Sequence, residues 1–97
     1  MTLLYALIAH DRPNGLARRQ EVRPEHLKHL DSLGSRLVLA GPFLDDNGDM
    51  TGSIVVIEAE NLEAAQATFN QDPFVVKGVF DSMTIKRWHL GINNTNK

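Results

Sequence analysis

Apolar positions fall in four short runs along the chain, and the spacing inside and between them predicts the elements. Leu3 to Ala9 is apolar throughout and is closed by Asp11, Pro13, Asn14 and Gly15, which predicts a strand followed by a turn. Leu4, Ala6 and Ile8 fall on one side of that strand and Leu3, Tyr5, Leu7 and Ala9 on the other, so both sides need cover. Arg36–Leu44 (RLVLAGPFL) and Ser53–Ala59 (SIVVIEA) predict two more strands. The polar run between them contains Asn47-Gly48, a strong hairpin signal, so the two pair antiparallel. Val79–Trp88 alternates, with Val79, Met83 and Ile85 opposing Phe80, Ser82 and Thr84, and predicts a fourth strand.

The stretches between the first and second strands and between the third and fourth read as helices. Leu16 to Leu33 is closed by Gly34 in the position of a C′ residue. Pro24 suits the first turn of a helix better than its interior, so the pattern predicts a short helical piece before Val22 and a main helix from near Pro24. Leu27, Leu30 and Leu33 would form its packed stripe. Asn61 is a good N-cap for a second helix beginning at Glu63, with Leu62, Ala65 and Phe69 on one side. Asp72-Pro73 breaks it, and Phe74–Lys77 reads as one more helical turn before Gly78. The order β-α-β-β-α-β is that of a ferredoxin-like α+β fold, expected to span residues 1–90 with a loose polar tail over residues 91–97. Two helices cover one face of a four-stranded sheet. The apolar residues on the other face call for an association surface, and a two-fold homodimer packed sheet against sheet is the expected solution.

Composition narrows the partners. With 97 residues the chain has the length of one domain and only a modest core. Ten Lys and Arg against twelve Asp and Glu leave a net charge of −2, which argues against binding to nucleic acid. Arg18, Arg19 and Arg23 are interrupted by Glu21 and Glu25, and read as a solvated helix face of mixed charge. There is no cysteine, which removes disulfides, thiolate nucleophiles and cysteine metal sites and fits a cytoplasmic protein. The apolar run at the start is too short for a membrane span and lacks the flanks of a signal peptide.

Few residues offer chemistry. His26 and His29 are three apart on a helix, but no third metal ligand accompanies them. Asp45, Asp46 and Asp49 lack the spacing of a calcium loop and read as a hairpin turn. Gly41-Pro42 and Gly52-Ser53 read first as backbone devices at strand ends, and Ser53 is in no nucleophile motif. His26 shares a stripe with Val22, Leu30 and Leu33, which suits either a structural histidine or an active one. An active histidine needs a carboxylate to fix its tautomer and favour its charged form. Asp72 can supply it if the two helices share a sheet face, though from spacing alone an aspartate before Pro73 reads first as a cap of the turn.

Three segments, LYALIAHDRPNGLARRQEVRPEHLKHL, RLVLAGPFLDDNGDMTGSIVV and DPFVVKGVFDSMTIKRW, together resemble the YCII-like family over nearly the whole chain except the tail. The resemblance implies a dimeric α+β barrel in which two four-stranded sheets face each other. It implies a His–Asp active pair, whose histidine, in the R-P-x-H-L segment, falls on His26 and whose aspartate, in the D-P-F segment, falls on Asp72. Arg23, Gly41, Pro42, Ser53 and Phe74 belong to the same segments and are expected to line a substrate cleft, with Ser53 donating to a substrate oxygen and Phe74 forming an apolar wall. One characterised relative is a dehydrochlorinase acting on a chlorinated hydroxyquinol, and the wider barrel group includes muconolactone isomerase-like proteins and small monooxygenases. The expected function is cofactor-free acid–base chemistry on a small aromatic or lactone-like compound. The alternatives are a binding module without chemistry and, by analogy with heme-handling barrels, a heme protein using His10, His26 or His89. No metal is expected.

Overall fold

The computed structural model describes residues 2–95; Met1 and the last two residues of the predicted tail, Asn96 and Lys97, lie outside the described residues. The chain runs β1 (Leu3–Asp11), α1 (Leu16–Ser32), β2 (Leu37–Leu44), β3 (Met50–Ala59), α2 (Leu62–Asn70), α3 (Pro73–Val76) and β4 (Phe80–Trp88). The strands form one sheet in the order β2-β3-β1-β4. Every neighbouring pair is antiparallel. This is the ferredoxin-like α+β arrangement, with β1 and β3 central.

Register decides which residues meet the helices. Tyr5, Leu7 and Ala9 of β1 stand opposite Ile57, Val55 and Ser53 of β3. The apolar members of this set join Val22, Leu30, Leu33, Ala65, Phe69, Phe74 and Phe80 in the core. Burying a large apolar side chain of this kind contributes about 1.5–3 kcal/mol each. The alternate set, Leu4, Ala6 and Ile8 opposite Glu58, Val56 and Ile54, lies on the sheet face that carries no helix. Leu39 of β2 pairs with Val56 and Phe43 with Gly52 on the same face. Leu39 and Ile8 are exposed there.

Three expectations need correction. First, α1 is one continuous helix from Leu16 to Ser32 with Pro24 inside it. Proline removes one amide donor, to the carbonyl of Gln20, and both residues face solvent, where water can serve that carbonyl. Buried residues on either side, Val22 and His26, hold the helix through the proline.

Second, the packed stripe of α1 is Arg19, Val22, His26 and Leu30, continued by Leu33. Leu27 is 44% exposed. Spacings of three and four, rather than strict threes, keep residues on one face at 3.6 per turn. On α2 the expected Leu62 is also exposed, standing at the first position of the helix, while Ala65 and Phe69 are buried.

Third, Arg19 is not part of a solvated face: it is 2% exposed.

Other boundaries shift by a residue or two. β1 continues to Asp11 with an irregularity after His10, β3 starts at Met50, and Arg36 sits in a short 3-10 turn rather than in β2. Gly34 ends α1 at φ +58°, the left-handed conformation glycine adopts without a Cβ penalty. The acidic run is a turn: the Asp45 carboxylate accepts from the amides of Asn47 at 2.9 Å and Asp49 at 3.0 Å. Among the described residues no helix is long and apolar enough to cross a membrane.

Candidate active site

Two polar residues stand on the buried stripe of α1, Arg19 and His26, seven positions and so about two turns apart on one face. Each is held by a residue from another element.

His26 is met by Asp72 at the junction of α2 and α3. Asp72 is the N-cap of α3 and Pro73 occupies its first turn. The Asp72 carboxylate does both jobs that its position suggests. Oδ1 accepts the Phe74 amide at 2.9 Å, and both oxygens lie 2.8 Å from His26 Nδ1. An ionised carboxylate only accepts, so Nδ1 carries the hydrogen and Nε2 of the neutral ring carries the lone pair. Asp72 is 2% exposed and His26 6%. The Phe74 ring lies 3.8 Å from the imidazole centroid at an interplanar angle of 10°. Phe80 in turn packs edge-on against Phe74, 5.6 Å away at 75°.

Arg19 is met by β1 and β3. Its Nε donates to Asp11 Oδ2 at 2.7 Å, and its Nη2 to Asp11 Oδ1 at 3.2 Å. Nη2 also donates to the Gly52 carbonyl at 2.7 Å and to Ser53 Oγ at 2.6 Å. The guanidinium carbon lies 4.6 Å from the Phe74 ring centroid, a cation–π distance. Gly52 is required at its position because a Cβ there would collide with the carbonyl oxygen of Ala9 and crowd the Phe43 ring.

Between α1 and strands β2 and β3 lies a cavity of about 130 Å³, bounded by Arg19, Arg23, His26, Leu30, Pro42 and Ser53, with Leu27, Ala40, Gly41 and Val55 completing it. Its lining combines the polar groups of Arg19, Arg23, His26 and Ser53 with aliphatic side chains from α1, β2 and β3. Among the described residues no buried side-chain nitrogen or oxygen lacks a partner. His26 Nε2 has no protein partner, so it reaches space open to solvent, and the cavity is the space His26 lines. Positioned this way the imidazole can accept a proton from, or return one to, a bound molecule.

The expected site residues separate into two groups. His26 and Asp72 meet, and Arg23, Gly41, Pro42 and Ser53 border the cavity beside His26. Phe74 lies elsewhere: it is fully buried and supports the His26 and Arg19 side chains from behind instead of facing the cavity. Sequence reasoning passed over Arg19 and Asp11. A signal existed for Arg19, which falls on the Val22–His26–Leu30 stripe where an unpaired arginine has no place. None existed for Asp11, whose position beside Arg12-Pro13 reads as a turn.

A model of the YCII-related domain matches residues 3–89. The protein YciI of Escherichia coli is 41% identical over 92 residues, covering 87% of this chain and 94% of its own. Among solved structures, the 5-chloro-2-hydroxyhydroquinone dehydrochlorinase of Burkholderia phenoliruptrix, in complex with 2,5-dihydroxybenzoquinone, superposes with a TM-score of 0.82 at 32% identity. That match covers 90% of this chain and 94% of that one. The cofactor-independent oxygenase SnoaB of Streptomyces nogalater shares the fold at a TM-score of 0.55 with 7% identity, covering 97% of each chain.

Proposed function

We propose a function from one premise: the chain belongs to the YCII-related domain family. In this reading it is a cofactor-free enzyme that moves a proton on a small single-ring compound, with His26 as the catalytic base and acid and Asp72 as the residue that positions it. The observation that carries the reading is the imidazole itself: Nδ1 bound to a buried carboxylate, and Nε2 left without a protein partner beside a cavity. Nε2 takes a proton from a hydroxyl or an activated C–H, and the bonding pair stays on the substrate. The imidazolium is held by Asp72. The proton then returns at another position, or the bond from the ring to a leaving group breaks, the group departing as an anion with that bonding pair and the imidazolium releasing its proton to solvent. The second course is supported by the dehydrochlorinase of similar structure. A cavity of about 130 Å³ suits one ring, since an apolar cavity of about 150 Å³ accepts benzene.

Two copies of the chain pack open sheet face against open sheet face in this reading. The support is the apolar row of Leu4, Ala6, Ile8, Ile54, Val56, Leu39 and Phe43 on the side without helices, together with the protomer fold of a dimeric α+β barrel.

The test is turnover of hydroxylated and chlorinated single-ring compounds, followed by absorbance. His26→Gln should lower kcat by about 100- to 10,000-fold with unchanged circular dichroism. Asp72→Asn should lower kcat with little change in KM. Undiminished turnover in His26→Gln sinks the reading, and ligand-induced thermal stabilisation without conversion points to a binding module instead.

A further inference from the structure

Arg19 is engaged on one side only. Nε and Nη2 share Asp11, the Gly52 carbonyl and Ser53 Oγ. Nη1, with two N–H donors, has no acceptor among the described residues. Since no buried side-chain polar atom there lacks a partner, Nη1 is not sealed. It opens to the space that Arg19 lines, which is the cavity beside His26. Ser53 repeats the pattern. Its Oγ accepts from Arg19, its hydroxyl hydrogen has no acceptor, and it too lines the cavity while only 3% exposed. Arg23, on the same wall, has no ion-pair partner among the described residues. Donors are therefore in excess over anionic groups here, for among the described residues no carboxylate lines the cavity.

We propose that Arg19 Nη1 and the Ser53 hydroxyl form a subsite for an anionic oxygen carried on the ring of the bound molecule, with Arg23 attracting it from the rim. Asp11 does not fill this role in the anion's place. It occupies the Nε side of the guanidinium fork, fixes the plane of the group and leaves Nη1 turned the other way. The Phe74 ring sets the spacing: it lies 3.8 Å from the imidazole and 4.6 Å from the guanidinium carbon. The sum of those distances is an upper limit on the separation of the two groups, and one substituted six-membered ring can reach across a gap within that limit. An oxygen held by Arg19 and Ser53 thus places the rest of the ring within reach of His26 Nε2. Charge-assisted bonds of this kind are about twice as strong as neutral ones, and they strengthen further in a water-poor site. The anionic oxygen is either an ionised ring hydroxyl or a ring carboxylate; the chemistry of recognition is the same.

The inference rests on the cavity described above as the ligand site, but not on turnover, so binding is measured by calorimetry with matched probes: benzoate against benzamide, and 4-nitrophenolate against nitrobenzene. Wild-type protein should bind the anion of at least one pair tenfold or more tightly than its neutral partner. The pair that shows the preference identifies carboxylate or ring hydroxyl as the source. Ser53→Ala should reduce the preference several-fold and Arg19→Lys should nearly remove it, while His26→Gln should keep it. Equal binding within both pairs, or an undiminished preference in Ser53→Ala, overturns the subsite whether or not Arg19→Lys folds. A preserved anion preference together with undiminished turnover in His26→Gln leaves the subsite standing and removes the acid–base reading alone.

Discussion

The ring of Phe74 lies parallel to that of His26 at 3.8 Å, and its own backbone amide is bonded to the carboxylate that holds the same histidine. One residue thus fixes the plane of the imidazole with its side chain and the orientation of Asp72 with its main chain. Three residues, His26, Asp72 and Phe74, form one closed unit, and its weak points are predictable.

Phe74→Leu keeps the amide bond to Asp72 and most of the volume but removes the stack. Aromatic pairs of this kind contribute about 0.5–1.5 kcal/mol beyond area burial. The edge contact with Phe80 and the cation–π contact with Arg19 go with the stack, so stability should fall by at least that amount in urea denaturation, and turnover should fall as well because the imidazole loses the ring that fixes its plane. Loss of stability with no loss of turnover would show that the stack is structural only.

Asp11→Ala leaves the Arg19 guanidinium buried without its counter-charge. Breaking a buried pair by removing one partner costs about 3–5 kcal/mol, a large share of the stability of a domain this small. Chemical denaturation should show a loss in that range. A loss near zero would mean that Arg19 swings into the cavity and is solvated there.

Gly52→Ala drives a methyl group into the Ala9 carbonyl. Overpacking typically costs about 1–3 kcal/mol, and here the shift is passed directly to Ser53 and to the carbonyl that Arg19 uses. Thermal unfolding should register the loss, and ligand affinity should drop with it. Wild-type stability in this variant refutes the close approach of β1 and β3 at that point.

Ile8→Glu and Ile54→Glu place facing carboxylates on the open side of the sheet, where the two residues are paired across β1 and β3. Analytical ultracentrifugation should find the wild type as a dimer and the double variant as a monomer, since like charges side by side at an interface oppose association. A wild-type protein that sediments as a monomer at micromolar concentration removes the face-to-face assembly.

Much of this structure is legible in the sequence. The element order followed from period and turn residues, and the two-sided apolar run of β1 forecast a sheet with one face left bare. Asp72 illustrates the limit. Its neighbours Pro73 and Phe74 announced a cap, and the geometry makes it a cap and a histidine partner together, which no local pattern distinguishes. Pro24 misled because propensity treats a missing amide as a break, whereas packing of Val22 and His26 outweighs one bond facing water. Arg19 was hidden because charge among neighbouring charges reads as solvent exposure. Only its place on the buried stripe, and an aspartate eight residues earlier, shows it to be internal.

Strand β2 closes the cavity with Ala40, Gly41 and Pro42 and is also an outer strand of the sheet. It carries Pro42 in its second half and irregular pairing between Leu37 and Leu39 and between Phe43 and Leu44. Proline and broken register make a poor template for an incoming strand. The rim that shapes the binding cavity therefore also guards this margin against fibrous growth, and a variant that smooths it for wider ligand entry should be watched for precipitation.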